Sequence, residues 1–140
     1  MRFTRGVGIV LSGAVMAAGL VTATAGSASA ADGCGDSYTV YGEYDVVAGY
    51  VWWNANPDSC QNGDNLGAQD VLTDGYSVVA HLAKLDFSVP NRVVSTSGYT
   101  APHIAWKGGN LPEGDQYYLW GCLSKDGIES NCTIWYLVTA

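Results

Sequence analysis

The groups in this sequence that could do chemistry are four cysteines, two histidines and thirteen carboxylates, and their spacing limits what they can do. Cys34, Cys60, Cys122 and Cys132 contain no Cys-x-x-Cys pair, and neither His81 nor His103 stands at ligand spacing from any of them. That pattern speaks against a zinc site and for a disulfide framework. Residues 116–138 suggest the pairing, because two runs rich in aromatic and β-branched residues flank Lys125-Asp126-Gly127, as in a β-hairpin. With the loop centred near Gly127, Cys122 and Cys132 fall opposite each other and bond, which leaves Cys34 to bond Cys60. Asp58, Asn62, Asp64 and Asp70 offer oxygens to calcium. An EF-hand frame counted from Asp58, however, puts Cys60 at its third position and Gln69 where the bidentate Glu belongs. A polar turn with Asx side chains bonded to their own backbone is the expected alternative, and a calcium site of another kind stays open.

Hydrolytic chemistry has no visible centre. There is no nucleophile elbow, no His-Glu-x-x-His and no cysteine with a histidine partner. His81 shares a strand face with Val79, Ala83 and Leu85, which marks it as a packed or edge histidine, and His103, just after Pro102, reads as a loop residue. Carboxylate pairs for glycoside hydrolysis would come from different strands, so spacing alone does not test them. Asn131-Cys132-Thr133 matches a glycosylation sequon, but a disulfide-bonded middle residue makes it a poor acceptor. The expectation is a noncatalytic chain with no cofactor and no metal.

The strands that must position any binding residue are patterned with period two. In the C-terminal hairpin one face carries Tyr118, Trp120 and Cys122 across from Cys132, Ile134 and Tyr136; the other carries Tyr117, Leu119 and Leu123 beside Trp135 and Leu137. Burying the leucine face leaves Tyr118, Trp120 and Tyr136 either lining a second layer or forming an aromatic platform. Trp52 and Trp53 are adjacent and so point to opposite faces; at most one enters the core of a one-sided sheet, and Trp53 is the candidate contact. The candidate ligand-binding set is therefore Trp53, Tyr118, Trp120 and Tyr136. Similar strand texture runs over residues 38–44, 46–53, 76–85, 92–99 and 103–106, with Gly, Pro, Asn and Asp between. Residues 54–70 read as one long surface loop with room for a short helical turn at 66–72. No helical periodicity is sustained beyond residue 30. The expected fold is all-β, a small antiparallel β-sandwich or barrel with two disulfides.

Residues 1–30 form a separate unit, in which Arg2 and Arg5 precede an apolar run from Val7 to Leu20 and a small-residue stretch ends in Ala28-Ser29-Ala30. That order is a cleavable export signal, and the run is too short for a membrane span. A single secreted domain over residues 31–140 is the expected product, without a membrane segment. It keeps only Lys84, Arg92, Lys107 and Lys125 against thirteen acids, too few and too scattered to track a phosphate backbone or an anionic membrane surface.

Trp52-Trp53-Asn54-Ala55-Asn56-Pro57-Asp58, Gly63-Asp64-Asn65-Leu66 and Asp70-Val71-Leu72-Thr73-Asp74-Gly75-Tyr76 resemble small secreted proteins of filamentous Gram-positive bacteria. The resemblance covers the middle third of the exported part; it implies export and a small β domain, and it carries no activity. In size and in its four cysteines the chain is also similar to small microbial α-amylase inhibitors, whose Trp-Arg-Tyr recognition triplet it lacks. The expected function is an extracellular binding module that takes a carbohydrate or a protein partner through aromatic side chains. The alternative is a secreted inhibitor of an extracellular hydrolase, an amylase or a protease, presenting the loop around Cys60; a small hydrolytic enzyme ranks third.

Overall fold

Alternation of apolar and polar residues along most of the chain builds two antiparallel sheets whose apolar faces meet. The computed structural model describes residues 35–57, 62–86 and 92–140. The expected export signal, both cysteines of the expected Cys34–Cys60 bond and Asp58 lie outside those residues.

The first sheet runs in the order β1 (Asp36–Tyr41), β2 (Val47–Asn54), β3 (Asn65–Asp70), β6 (His103–Lys107). The second runs β5 (Arg92–Ser95), β4 (Ser77–Lys84), β7 (Gln116–Lys125), and β7 pairs on its far side with both β8 (Ile128–Ser130) and β9 (Tyr136–Thr139). Among the described residues the only helical element is a single 3-10 turn, Glu43–Asp45. The core interleaves Val40, Val51, Trp53, Leu66 and Ala68 from the first sheet with Val78, Ala80, Leu82, Leu119 and Leu123 from the second. The fold is the expected all-β, two-sheet arrangement, and Cys122 is bonded to Cys132.

Residues 54–70 correct one expectation. In place of a surface loop with a helical turn, Asn65–Asp70 forms β3, an interior strand paired with β2 on one side and β6 on the other. Its sequence, Asn-Leu-Gly-Ala-Gln-Asp, has no β-branched or aromatic residue, so local propensity argues against a strand. Its neighbours supply the reason it is one. Trp52, Gly67 and Trp106 lie in register across three strands, and the two indoles stack over the glycine with their centroids 5.3 Å apart. Strands two places apart are separated by roughly 10 Å, so the rings meet only because the residue between them has no side chain. A Cβ at Gly67 would lie 2.4 Å from the Trp106 ring and 2.8 Å from that of Trp52.

At the far end of β3, Asp70 is buried and one carboxylate oxygen accepts the Leu72 N–H at 3.0 Å. Burial raises its pKa, with a further rise from Asp74, against the lowering effects of the Leu72 bond and of His103. An acid whose pKa is higher in the folded state favours folding when protonated. Its contribution is complete below the unfolded value and is lost as the pH climbs from there through the raised folded value.

Two outcomes are expected. Gly67→Ala should cost about 1–3 kcal/mol in chemical denaturation, the usual cost of overpacking, with altered tryptophan emission. Asp70→Asn keeps the oxygen that accepts the Leu72 N–H, so it should melt higher than the parent chain at pH 7. That advantage should shrink on acidification and vanish below about pH 4, where the parent carboxyl is protonated in both states.

Candidate functional site

The last hairpin turns on two residues, Asp126 and Gly127, both with positive φ (54° and 78°), and Lys125 faces Ile128 across it. This is the left-handed two-residue turn that Asp-Gly favours. Its centre falls between Asp126 and Gly127. The expected centre on Gly127 is half a residue away, which moves the pairing by one residue and so exchanges the two faces of the whole return strand.

The return strand is also broken. Leu123 faces Ser130 on β8, and continuing that register would set Ile134 against Leu119; Tyr136 stands there, so two extra residues are accommodated between β8 and β9. The irregular stretch begins at Asn131, itself at φ 47°. Three contacts pin it: the Cys122–Cys132 bond, with Cα atoms 4.0 Å apart, the Thr133 N–H donating to the Gly121 carbonyl at 2.8 Å, and the Gly121 N–H donating to the Thr133 hydroxyl at 3.1 Å. The two cysteines are thus joined across a bulge and do not face each other on a regular ladder.

With this register Tyr117, Leu119 and Leu123 point into the core as expected, joined by Tyr136 and Val138. Trp135 and Leu137, expected among the buried set, lie on the outer side and are 58% and 54% exposed. Tyr118 and Trp120 are half-buried on that same outer face, where the Trp135 ring rests against both, 5.4 Å from Tyr118 and 5.8 Å from Trp120. Trp120 stacks in turn on His81, its partner on β4, at 4.8 Å with planes 4° apart. The His81 Nε2 lies 3.0 Å from each carboxylate oxygen of Glu129 on β8. A continuous cluster therefore crosses three strands and the bulge, with Ile134 exposed beside it.

Two of the four expected contact residues belong elsewhere. Trp53 is only 4% exposed; its indole N–H donates to the Thr139 carbonyl at 2.9 Å and the Arg92 guanidinium lies over its ring, so it closes one end of the core. Trp52 is buried as well, because its outward ring is covered through the stack on Trp106. Tyr136 turns inward and stacks on Tyr38 at 3.7 Å, joining β9 to the first sheet. Tyr118 and Trp120 remain, brought together with Trp135, His81 and Glu129. His81 is the packed histidine its neighbours suggested, whereas Trp135 and Glu129 were missed. The turn chemistry of Asp126-Gly127, counted as a two-residue loop, is the signal that places Trp135 correctly.

The cluster falls short of a three-ligand metal site. His81, Cys122 and Glu129 have ligand atoms within 4.8 Å of one another, but the Cys122 sulfur is tied up in the disulfide and supplies no thiolate. Elsewhere, a groove of about 550 Å³ opens between the β1–β2 turn and the β3–β4 connection, with Glu43 and Asp74 among its lining residues. Both carboxylates are exposed, and Asp74 accepts the Tyr76 N–H at 2.9 Å. They lack the contrast of environment that divides a catalytic acid from its partner. His103 is on strand β6, not in a loop, and stacks on Tyr99 at 3.9 Å. Asp64 is buried and gives one carboxylate oxygen to the Leu111 N–H at 2.7 Å, a bond to a distant segment and not to its own turn, whereas Asp70 does bond its own backbone two residues on. The loop around Cys60, expected to carry an inhibitory contact, lies partly outside the described residues.

No protein-family model, no curated protein and no solved structure matches the chain. Since the disulfide closes a short loop that holds the Trp135 segment, replacing Cys122 and Cys132 by alanine should lower stability by about 2–3 kcal/mol in denaturant titration. The same variant should red-shift tryptophan emission as Trp135 leaves its seat on Tyr118 and Trp120.

Proposed function

We propose that the chain is a noncatalytic binding module, exported from the cell, that holds a carbohydrate against Trp135 on the outer face of the second sheet. The observation that carries this reading is an indole left 58% exposed while seated on two other aromatic rings. Tryptophan gains much free energy from burial, so a large exposed one beside exposed Ile134 and Leu137 makes an apolar patch with work to do at a surface. Seating on Tyr118 and Trp120 removes ring freedom before any ligand arrives, which lowers the entropic cost of contact. Tyr44 is a useful contrast. It is 94% exposed at the tip of the β1–β2 turn, and among the described residues it has no ring partner.

A sugar fits this face better than a protein does. The exposed part consists of Trp135, Ile134, Leu137 and the edges of Tyr118, Trp120 and Glu129, few side chains beside the roughly 20–30 residues a side of a standard protein interface. One or two pyranose rings match it: their C–H faces lie on the indole and their hydroxyls reach the carboxylate of Glu129. Export is supported by the signal-like order of residues 1–30 and by a disulfide, which persists in oxidising compartments. No helix among the described residues is long and apolar enough to cross a membrane.

Affinity electrophoresis tests the reading. Migration should be retarded in gels containing at least one soluble polysaccharide among xylan, hydroxyethylcellulose and glycol chitin, and Trp135→Ala should abolish the retardation. Normal migration in all three gels, or retardation that the variant retains, would overturn it.

A further inference from the structure

We infer that the ligand of the Trp135 face is an uncharged glycan chain presented singly, not a crystalline polysaccharide surface and not a polyanion; this rests on the proposed role of Trp135 as the contact.

Ring geometry sets the form of the ligand. The Trp135 plane is tilted by 44° to Tyr118 and by 39° to Trp120, so the three rings share no plane. A crystal face presents coplanar rows of sugars and needs a coplanar row of aromatics to match it. Here a single indole is 58% exposed, and it is tilted to both of the rings it rests on. The contact therefore spans one or two consecutive sugars of a chain that is free to follow a curved surface. Nor can the ligand enter between the rings. A guest stacked on both sides needs centroids about 7 Å apart, twice the van der Waals contact distance, whereas these lie 5.4 and 5.8 Å apart. That spacing leaves no room for a flat guest between Trp135 and either of these two rings.

Charge sets the chemistry of the ligand. Glu129 is the ionisable group at the rim, its side chain 39% exposed and its two oxygens held by the buried His81. A carboxylate accepts hydrogen bonds from hydroxyls and repels uronate or sulfate. The described cations are engaged away from this face. Lys84 pairs with Asp115 at 2.8 Å, Arg92 donates to the Asp64 and Gly109 carbonyls, Lys125 lies over the Tyr76 ring, and Lys107 belongs to β6 in the other sheet. The full sequence has a formal net charge of −7, which adds to the repulsion of any anionic polymer. Glu129 is thus the group that selects hydroxyls, and His81 is its positioning residue.

The test has three arms, each run on the purified chain and on Trp135→Ala, Trp135→Phe and Glu129→Gln. Calorimetric titration uses the neutral hexasaccharides cellohexaose, xylohexaose and chitohexaose. Pull-down uses microcrystalline cellulose and α-chitin. Polygalacturonate and alginate supply the anionic arm. At least one hexasaccharide should bind, at least about tenfold more weakly to Trp135→Ala. Trp135→Phe should recover most of that loss, a recovery that separates lost stacking from lost folding. Glu129→Gln should weaken hexasaccharide binding several-fold. Crystalline and anionic polymers should show no binding that depends on Trp135. Adsorption to a crystalline solid or a polyanion that Trp135→Ala removes would overturn the inference while keeping Trp135 as the contact. Binding that is indifferent to Trp135, or absent from all three arms, would overturn the contact and the inference together.

Discussion

A β-strand shows each side only every second residue, and the two-residue turn at Asp126-Gly127 therefore decides what the last third of the chain presents to water. Because the turn closes between those two residues, Tyr136 and Val138 go inward and Trp135 and Leu137 go outward. The bulge at residues 131–135 adds two residues, an even number, and so keeps the assignment of faces while shifting the ladder along β7. The Cys122–Cys132 bond and the paired hydrogen bonds of Thr133 and Gly121 hold this irregular stretch in place. Without them the segment bearing Trp135 would be an unpaired excursion at a sheet edge.

The two sheets meet different demands with the same residue type. In the first sheet the indoles are structural: Trp53 caps the core, and Trp52 and Trp106 close over Gly67 on the outer side. A strand of poor β-formers is kept in the middle of that sheet because its small residue admits two large ones from its neighbours. In the second sheet Trp120 is pressed between His81 and Trp135, and Trp135 alone of the clustered indoles is mostly open to solvent. Four of the five tryptophans are thus buried or half-buried, and the exposed indole surface that remains is narrow.

That narrowness constrains the functional reading. One supported indole face, two exposed aliphatic side chains and one oriented carboxylate suit a small patch of hydroxyl-bearing, uncharged ligand better than an extended interface. The stack of His81 on Trp120 and the tilted contact of Trp120 with Trp135 mean the exposed ring is held by residues that are themselves largely covered. Nothing in the linear spacing of residues 81, 120, 129 and 135 announces that arrangement.

Local patterning alone determined the all-β class, the C-terminal hairpin, the Cys122–Cys132 bond and the burial of Tyr117, Leu119 and Leu123, because each depends on residues close in the chain or on a period of two. The strand at Asn65–Asp70 was illegible, since its cause is a pair of tryptophans on other strands and not its own propensity. Trp53 and Tyr136 were misplaced outside the core for related reasons: a ring next to another tryptophan can be buried on either side of a sheet, and a half-residue error in a turn centre inverts a strand. What only the tertiary structure decided is which aromatic rings face water, because exposure depends on what packs above a side chain, and that is set by strands far away in sequence.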